Sequence, residues 1–185
     1  MKANVPAWLP NSITSLRILG AIVLLFLTPL STAFYIVYTF AGLSDALDGW
    51  LARRTNTTSE LGKKLDSVAD LLFYAVMLVR LLPVLLERLP IEIWILIGVI
   101  LLVRLCAYIT AAIKYHRFAS LHTYLNKVTG GGVFLVPYIL LLPIDVFLCG
   151  VVCVIGLLAS VEELLIHLRS RDYDLSPRSL LITKK

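Results

Sequence analysis

Charge is scarce in this 185-residue sequence. Only 16% of its residues are Asp, Glu, Lys or Arg, against 59% in the hydrophobic set, and its mean hydropathy is +0.88. Water-soluble domains carry about 25% charged and 45–50% apolar residues, so an ordinary soluble domain is excluded. Cysteine is sparse too: Cys106, Cys149 and Cys153 lie in apolar runs, with no CxxC or Cys/His spacing suggestive of zinc or a redox pair. They read as small apolar core residues. His116, His122 and His167 show no metal-ligand spacing and are given no role. There is no internal repeat and no low-complexity tract. The opening MKANVPAWLPNSITSLR has one early lysine and two prolines, with no small-residue cleavage site behind a short apolar run. It therefore does not read as a secretory signal. Pro6, Trp8, Leu9 and Pro10 read instead as a short interfacial segment, with Trp8 at headgroup level.

What the chain does have is apolar length. Six apolar segments span approximately 13–30, 33–52, 62–86, 91–113, 125–142 and 146–167, followed by a polar tail over 168–185. A spanning helix takes about 20 residues. Six of them leave only short loops and no space for a second soluble domain. The expectation is an all-α integral membrane protein, a six-transmembrane-helix bundle forming a single domain over 1–185. Lys2, Arg53, Arg54, Lys63, Lys64, Lys114, Arg117, Lys127 and the tail cations fall on one side of this arrangement. The opposite side has Arg88, with Arg80 snorkelling toward it. The positive-inside rule then puts both termini and the 52–62 and 114–127 loops in the cytoplasm, in a multi-pass protein of the cell membrane. The net charge of +5 is mostly this asymmetry. It suits anionic membrane lipids, whereas nucleic-acid binding would need a soluble basic face. Gly130, Gly131 and Gly132 open the fifth segment, where they are expected to permit close helix contact or a local kink.

Against this background four carboxylates stand out. A carboxylate inside a membrane segment costs several kcal/mol unless it is paired, hydrated or metal-bound. Asp45 and Asp48 are three apart on the second segment, and Asp66 and Asp70 are four apart on the third, so each pair shares a helix face. The loop between the segments lets the two faces converge. Four converging carboxylates repel unless cations sit among them, and hard divalent ions take such ligands. The competing reading is a buried network or ion pairs with Arg53 and Arg54. Gly49, Ala52 and Gly62 remove bulk beside the carboxylates, and Arg53 offers a planar cation suited to phosphate. Together these features describe a pyrophosphate site.

The stretch Asp45-x2-Asp48-Gly49-x2-Ala52-Arg53-x8-Gly62-x3-Asp66-x3-Asp70 matches every fixed position of the signature of the CDP-alcohol phosphotransferases. The opening Pro10-Asn11-Ser12-Ile13-Thr14-Ser15-Leu16-Arg17 is similar to a weaker N-terminal pattern of bacterial members, although Arg17 also reads as a headgroup anchor. The resemblance implies transfer of the phosphatidyl group from CDP-diacylglycerol to a small alcohol, with release of CMP. Asp45, Asp48, Asp66 and Asp70 would hold two divalent ions, Mg²⁺ or Mn²⁺, and Asp70 would also act as general base. Gly49, Ala52, Arg53 and Gly62, with Asn11 and Thr14, would bind the CDP moiety. A homodimer is also implied.

Arg104, Lys114, Arg117 and Lys127 are candidates for binding the acceptor. Arg104 is the most unusual of them, lying near the middle of the fourth segment, where a cation usually faces a cavity or a partner. Lys114 and Arg117 read equally as positive-inside anchors. Glu162 and Glu163 read as partners of Arg169 or other rim cations. The Leu65-Asp66-Ser67-Val68-Ala69-Asp70-Leu71 context departs at Ser67 and Leu71 from what glycerol-phosphate members typically carry. Leu72-Phe73-Tyr74-Ala75 departs likewise from the serine-using branch. Glycerol 3-phosphate, serine and inositol or inositol phosphate therefore all stay open as acceptors. An ion or proton transporter would place its carboxylates near the membrane midplane, between pseudo-symmetric halves. A non-catalytic lipid-binding protein would need neither the ligand set nor the bulk-free positions.

Overall fold

A computed structural model describes residues 8–55, 60–115 and 123–169, with side chains described over 14–44, 65–115 and 123–169. Among the described residues there are six helices and no strand: α1 Trp8–Phe26, α2 Thr32–Thr55, α3 Glu60–Arg88, α4 Ile91–Tyr115, α5 Tyr124–Ile139 and α6 Asp145–Arg169. The fold class is all-α, with helices of membrane type. By length and composition Leu65–Arg88, Ile91–Tyr115 and Asp145–Arg169 can each cross a membrane, and Thr14–Phe26 and Thr32–Ser44 are shorter apolar stretches. α5 has 16 residues, about 24 Å at 1.5 Å per residue, short of a hydrocarbon core of about 30 Å. The apolar residues face outward as much as inward: Phe26 is 83% exposed and Phe40 73%. Patches of that kind suit lipid rather than water.

The contacts divide the chain into two compact units, Met1–Glu87 and Arg88–Lys185. In the first, α1 packs on α2. A Cβ added at Gly20 would lie 3.3 Å from Ala41 Cβ, so these helices approach closely because neither carries bulk there. Tyr38 on α2 stacks on Phe73 of α3 at 5.5 Å and 10°, and Phe34 stacks on Tyr38. Trp8 and Pro10, expected in a separate interfacial segment, form the first turn of α1, where proline's missing N–H costs nothing. α1 stops at Phe26 rather than near residue 30. Pro29 disfavours helix at the residue before it, and Leu30 adopts a left-handed φ of 61°. Ser31 then starts α2, its hydroxyl accepting from the Phe34 N–H at 3.2 Å. Arg80, expected to snorkel toward the opposite rim, donates through its guanidinium to the Leu27 carbonyl just past the end of α1, where helix carbonyls lack partners.

In the second unit α6 packs on both α4 and α5. Fully buried Ala107 and Ala111 lie one turn apart on α4. On α6, Gly156 is so close to α5 and α4 that an added Cβ would sit 3.4 Å from Thr129 Cγ2 and 3.7 Å from Ile100 Cδ1. Small residues of this kind let membrane helices approach without a hydrophobic driving force. Of the three consecutive glycines only Gly132 is crowded, where an added Cβ would lie 3.2 Å from Val152 Cγ1, while Gly130 and Gly131 have open space. Thr123 caps α5 through its side chain. α5 ends at Ile139, earlier than expected, because Leu142 precedes Pro143. Arg88 closes this end by donating to the Leu140 carbonyl at 2.7 Å and approaching Asp145 at 3.5 Å. Cys149 is buried, Cys153 half-buried and Cys106 exposed.

Candidate active site

The signature residues lie on the two helices where spacing put them. Asp45, Asp48, Gly49, Ala52 and Arg53 are on the second half of α2, and Gly62, Asp66 and Asp70 are on the first half of α3. The side chains of Asp45, Asp48, Ala52, Arg53 and Asn11 lie outside the described residues, as do the surroundings of Gly49 and Gly62. For Asp66 and Asp70 the geometry is explicit. Arg17 Nη1 donates to Asp66 Oδ1 at 3.1 Å and to Asp70 Oδ1 at 2.5 Å. The Arg17 Nε reaches Ser44 Oγ at 3.4 Å, and Ser44 in turn donates to the Ala41 carbonyl at 2.7 Å. Three helices therefore meet at one guanidinium. Ser44 directly precedes Asp45 in sequence, so the α2 end of this contact is the start of the signature. Thr14, expected at the CDP moiety, is buried one turn before Arg17 on α1.

Arg17 is no headgroup anchor: its side chain is 1% exposed. An arginine in an apolar run needs a carboxylate or a hydrated cavity, and here it has two carboxylates. That signal was in the sequence, but the partners lie 49 and 53 residues away, and nothing local names them. Asp66 and Asp70 keep 45% and 40% of their side-chain surface exposed. Two hard oxygen donors one helical turn apart, still accessible, suit a divalent cation. Among the described residues no group of three or more His, Cys, Asp or Glu side chains is placed to hold one. The remaining two expected ligands, Asp45 and Asp48, fall outside that set.

The second unit contains a polar chain of a different kind. Arg104 on α4 donates through Nη2 to Asn126 Oδ1 at 2.7 Å and through Nε to Ser160 Oγ at 3.4 Å. The Asn126 amide donates to Glu163 Oε2 at 3.1 Å, and Glu163 lies 4.0 Å from His167. Ser160, Glu163 and His167 are at most 1% exposed. Glu163 is thus an interior residue rather than a rim partner, and His167, given no role above, is part of this interior. Lys114 donates to the carbonyls of His167 and Leu168 at 2.9 and 3.0 Å, capping the end of α6 where a cation also complements the helix dipole. Lys127 lies over the Tyr124 ring at 5.8 Å, within cation–π range. Arg117 lies outside the described residues. An apolar groove on the same unit is lined by Ile93, Leu96, Phe147 and Val151 among others and carries no chemistry.

A family model described as CDP-alcohol phosphatidyltransferase matches residues 7–168. The chain is 44% identical over 78 residues to a CDP-diacylglycerol–glycerol-3-phosphate 3-phosphatidyltransferase of Pseudomonas fluorescens, covering 40% of each chain. It is 38% identical over 82 residues to the protein of that description from Yersinia pestis (strain Pestoides F), covering 43% of this chain and 44% of the relative. A CDP-diacylglycerol–inositol 3-phosphatidyltransferase 1 of Arabidopsis thaliana is 35% identical over 81 residues, covering 43% of this chain and 36% of the relative. The chain thus spans less than half the length of these curated relatives. No solved structure matches it.

Proposed function

The chain belongs to the CDP-alcohol phosphatidyltransferase family, and on that premise we propose that it transfers the phosphatidyl group of CDP-diacylglycerol to a small alcohol, releasing CMP. The observation that carries this reading is the unbroken signature from Asp45 to Asp70 inside the family match, with Asp66 and Asp70 drawn together by one buried cation.

Asp45, Asp48, Asp66 and Asp70 would hold two divalent ions, Mg²⁺ or Mn²⁺. Such ions offset the charge of the pyrophosphate and stabilise the leaving phosphate. Asp70 takes the proton of the acceptor hydroxyl. The acceptor oxygen bonds to the phosphorus that carries the diacylglycerol, the bond from that phosphorus to the bridging oxygen breaks, and CMP departs. Gly49, Ala52, Arg53 and Gly62 line the CDP moiety with Asn11 and Thr14. The chain acts as one catalytic domain in the cell membrane, as a homodimer, with the site and both termini facing the cytoplasm.

Glycerol 3-phosphate is the acceptor to test first, on the descriptions of the bacterial relatives. Inositol follows on that of the plant relative, and serine has no such support. Lys127 and Arg117 are the cations proposed for the acceptor, whereas the bonds of Arg104 to Asn126 and Ser160 and of Lys114 to the last α6 carbonyls favour helix joining and capping. The test is CMP release by the purified chain in detergent with CDP-diacylglycerol and Mg²⁺ or Mn²⁺. Glycerol 3-phosphate, inositol, inositol phosphate and serine are offered in turn. Release with glycerol 3-phosphate is expected, and no release with any acceptor rejects the reaction.

A further inference from the structure

We propose that Arg17 is the positioning residue for divalent-cation binding by Asp66 and Asp70, an inference that rests on reading those two carboxylates as metal ligands. One guanidinium nitrogen ties one oxygen of each carboxylate, at 3.1 and 2.5 Å. The Nε of the same planar group is held by Ser44 on α2, which is itself anchored to the Ala41 carbonyl. The guanidinium fork is rigid, and at 1% exposure it cannot swing away without leaving a buried charge uncompensated. The directions of both carboxylates are therefore set before a cation arrives.

Two acidic side chains at i and i+4 on one helix repel each other, and the charge between them offsets that repulsion. Arg17 itself is fully buried, whereas Asp66 and Asp70 are 45% and 40% exposed. The cation-binding side is accordingly the outer one, away from the arginine. Groups that hydrogen-bond to metal ligands and orient them are worth about ten- to a hundredfold in metal affinity. A simple counter-ion would do the reverse, competing with the metal for the same oxygens.

A variant that keeps the charge and loses the fork separates the two roles. The purified full chain in detergent is titrated with Mn²⁺ alone, and free Mn²⁺ is read by its paramagnetic resonance signal. Arg17→Lys is expected to raise the Mn²⁺ dissociation constant about tenfold with the metal-free melting temperature retained. An unchanged or lower dissociation constant overturns the proposal. Should Arg17→Lys fail to fold, Ser44→Ala carries the test, because it removes the acceptor of the Arg17 Nε and otherwise only a bond to the Ala41 carbonyl within α2. A rise of about threefold, the scale of one long, weak hydrogen bond, supports positioning, and no change overturns it. Absence of Mn²⁺ binding by the unaltered chain overturns the proposal together with the metal reading. The expected Mn²⁺ pattern in a chain that releases no CMP sustains the role of Arg17 and rejects the transfer reaction alone.

Discussion

Each unit of the molecule holds an arginine among polar side chains inside apolar helices, but the two arginines are satisfied differently. Arg17 pairs directly with two carboxylates that stay nearly half exposed. Arg104 reaches its carboxylate only through Asn126, and that carboxylate, Glu163, is fully buried against His167. The cost of charge in a membrane explains why both cations have partners. It does not explain why one set is open and the other closed. An open carboxylate pair retains coordination capacity for a ligand, whereas the chain from Arg104 through Asn126 to Glu163 uses its polar groups to join α4, α5 and α6. The difference separates a region suited to chemistry from one suited to structure.

The sharpest way to break that contrast is Asp70→Asn. It should lower CMP release by about 10²- to 10⁴-fold, the range for loss of a general base. The melting temperature should move by less than about 4 °C, because an amide oxygen can still accept from Arg17. Release at the unaltered rate in a turnover assay would remove Asp70 from the chemistry. Glu163→Ala should do the opposite. It removes the carboxylate that accepts from the Asn126 amide and faces His167, and thermal unfolding in detergent should show a loss of about 2–3 kcal/mol. A variant as stable as the parent would mean that the closed chain is not what holds α5 to α6.

Smaller effects refine the same picture. Gly132→Leu should cost about 1–3 kcal/mol by overpacking Val152, while Gly131→Ala, in open space, should gain a few tenths to about 1 kcal/mol from helix propensity. Equal effects at the two positions would deny the close approach of α5 to α6. Leu30→Gly should stabilise the first unit by up to about 1 kcal/mol, since φ at 61° is strained for leucine and free for glycine. A drop in melting temperature would show that the leucine side chain matters more than its backbone.

Much of the helix pattern could be read from composition, because a membrane helix is defined by a local run of apolar residues. α3, α4 and α6 fall within two residues of expectation at each end. α1 and α5 end early, before Pro29 and Pro143, whose effect on the preceding residue is also local. The interior position of Glu163 and His167 was not. A charged pair near the end of an apolar run looks the same whether it meets lipid headgroups or an asparagine 37 residues away.

By itself the sequence determined the solvent this protein lives in, the helices it forms and the spacing of Asp45, Asp48, Asp66 and Asp70. Each of these depends on residues within a turn or two of one another, and spacing along a helix converts directly into a shared face. Only the tertiary structure decided that Arg17 lies between Asp66 and Asp70 and that Arg104 is tied to Asn126. Those pairings join residues of separate helices, and helix packing, set by small residues such as Gly20, Ala41 and Gly156, chooses which faces meet.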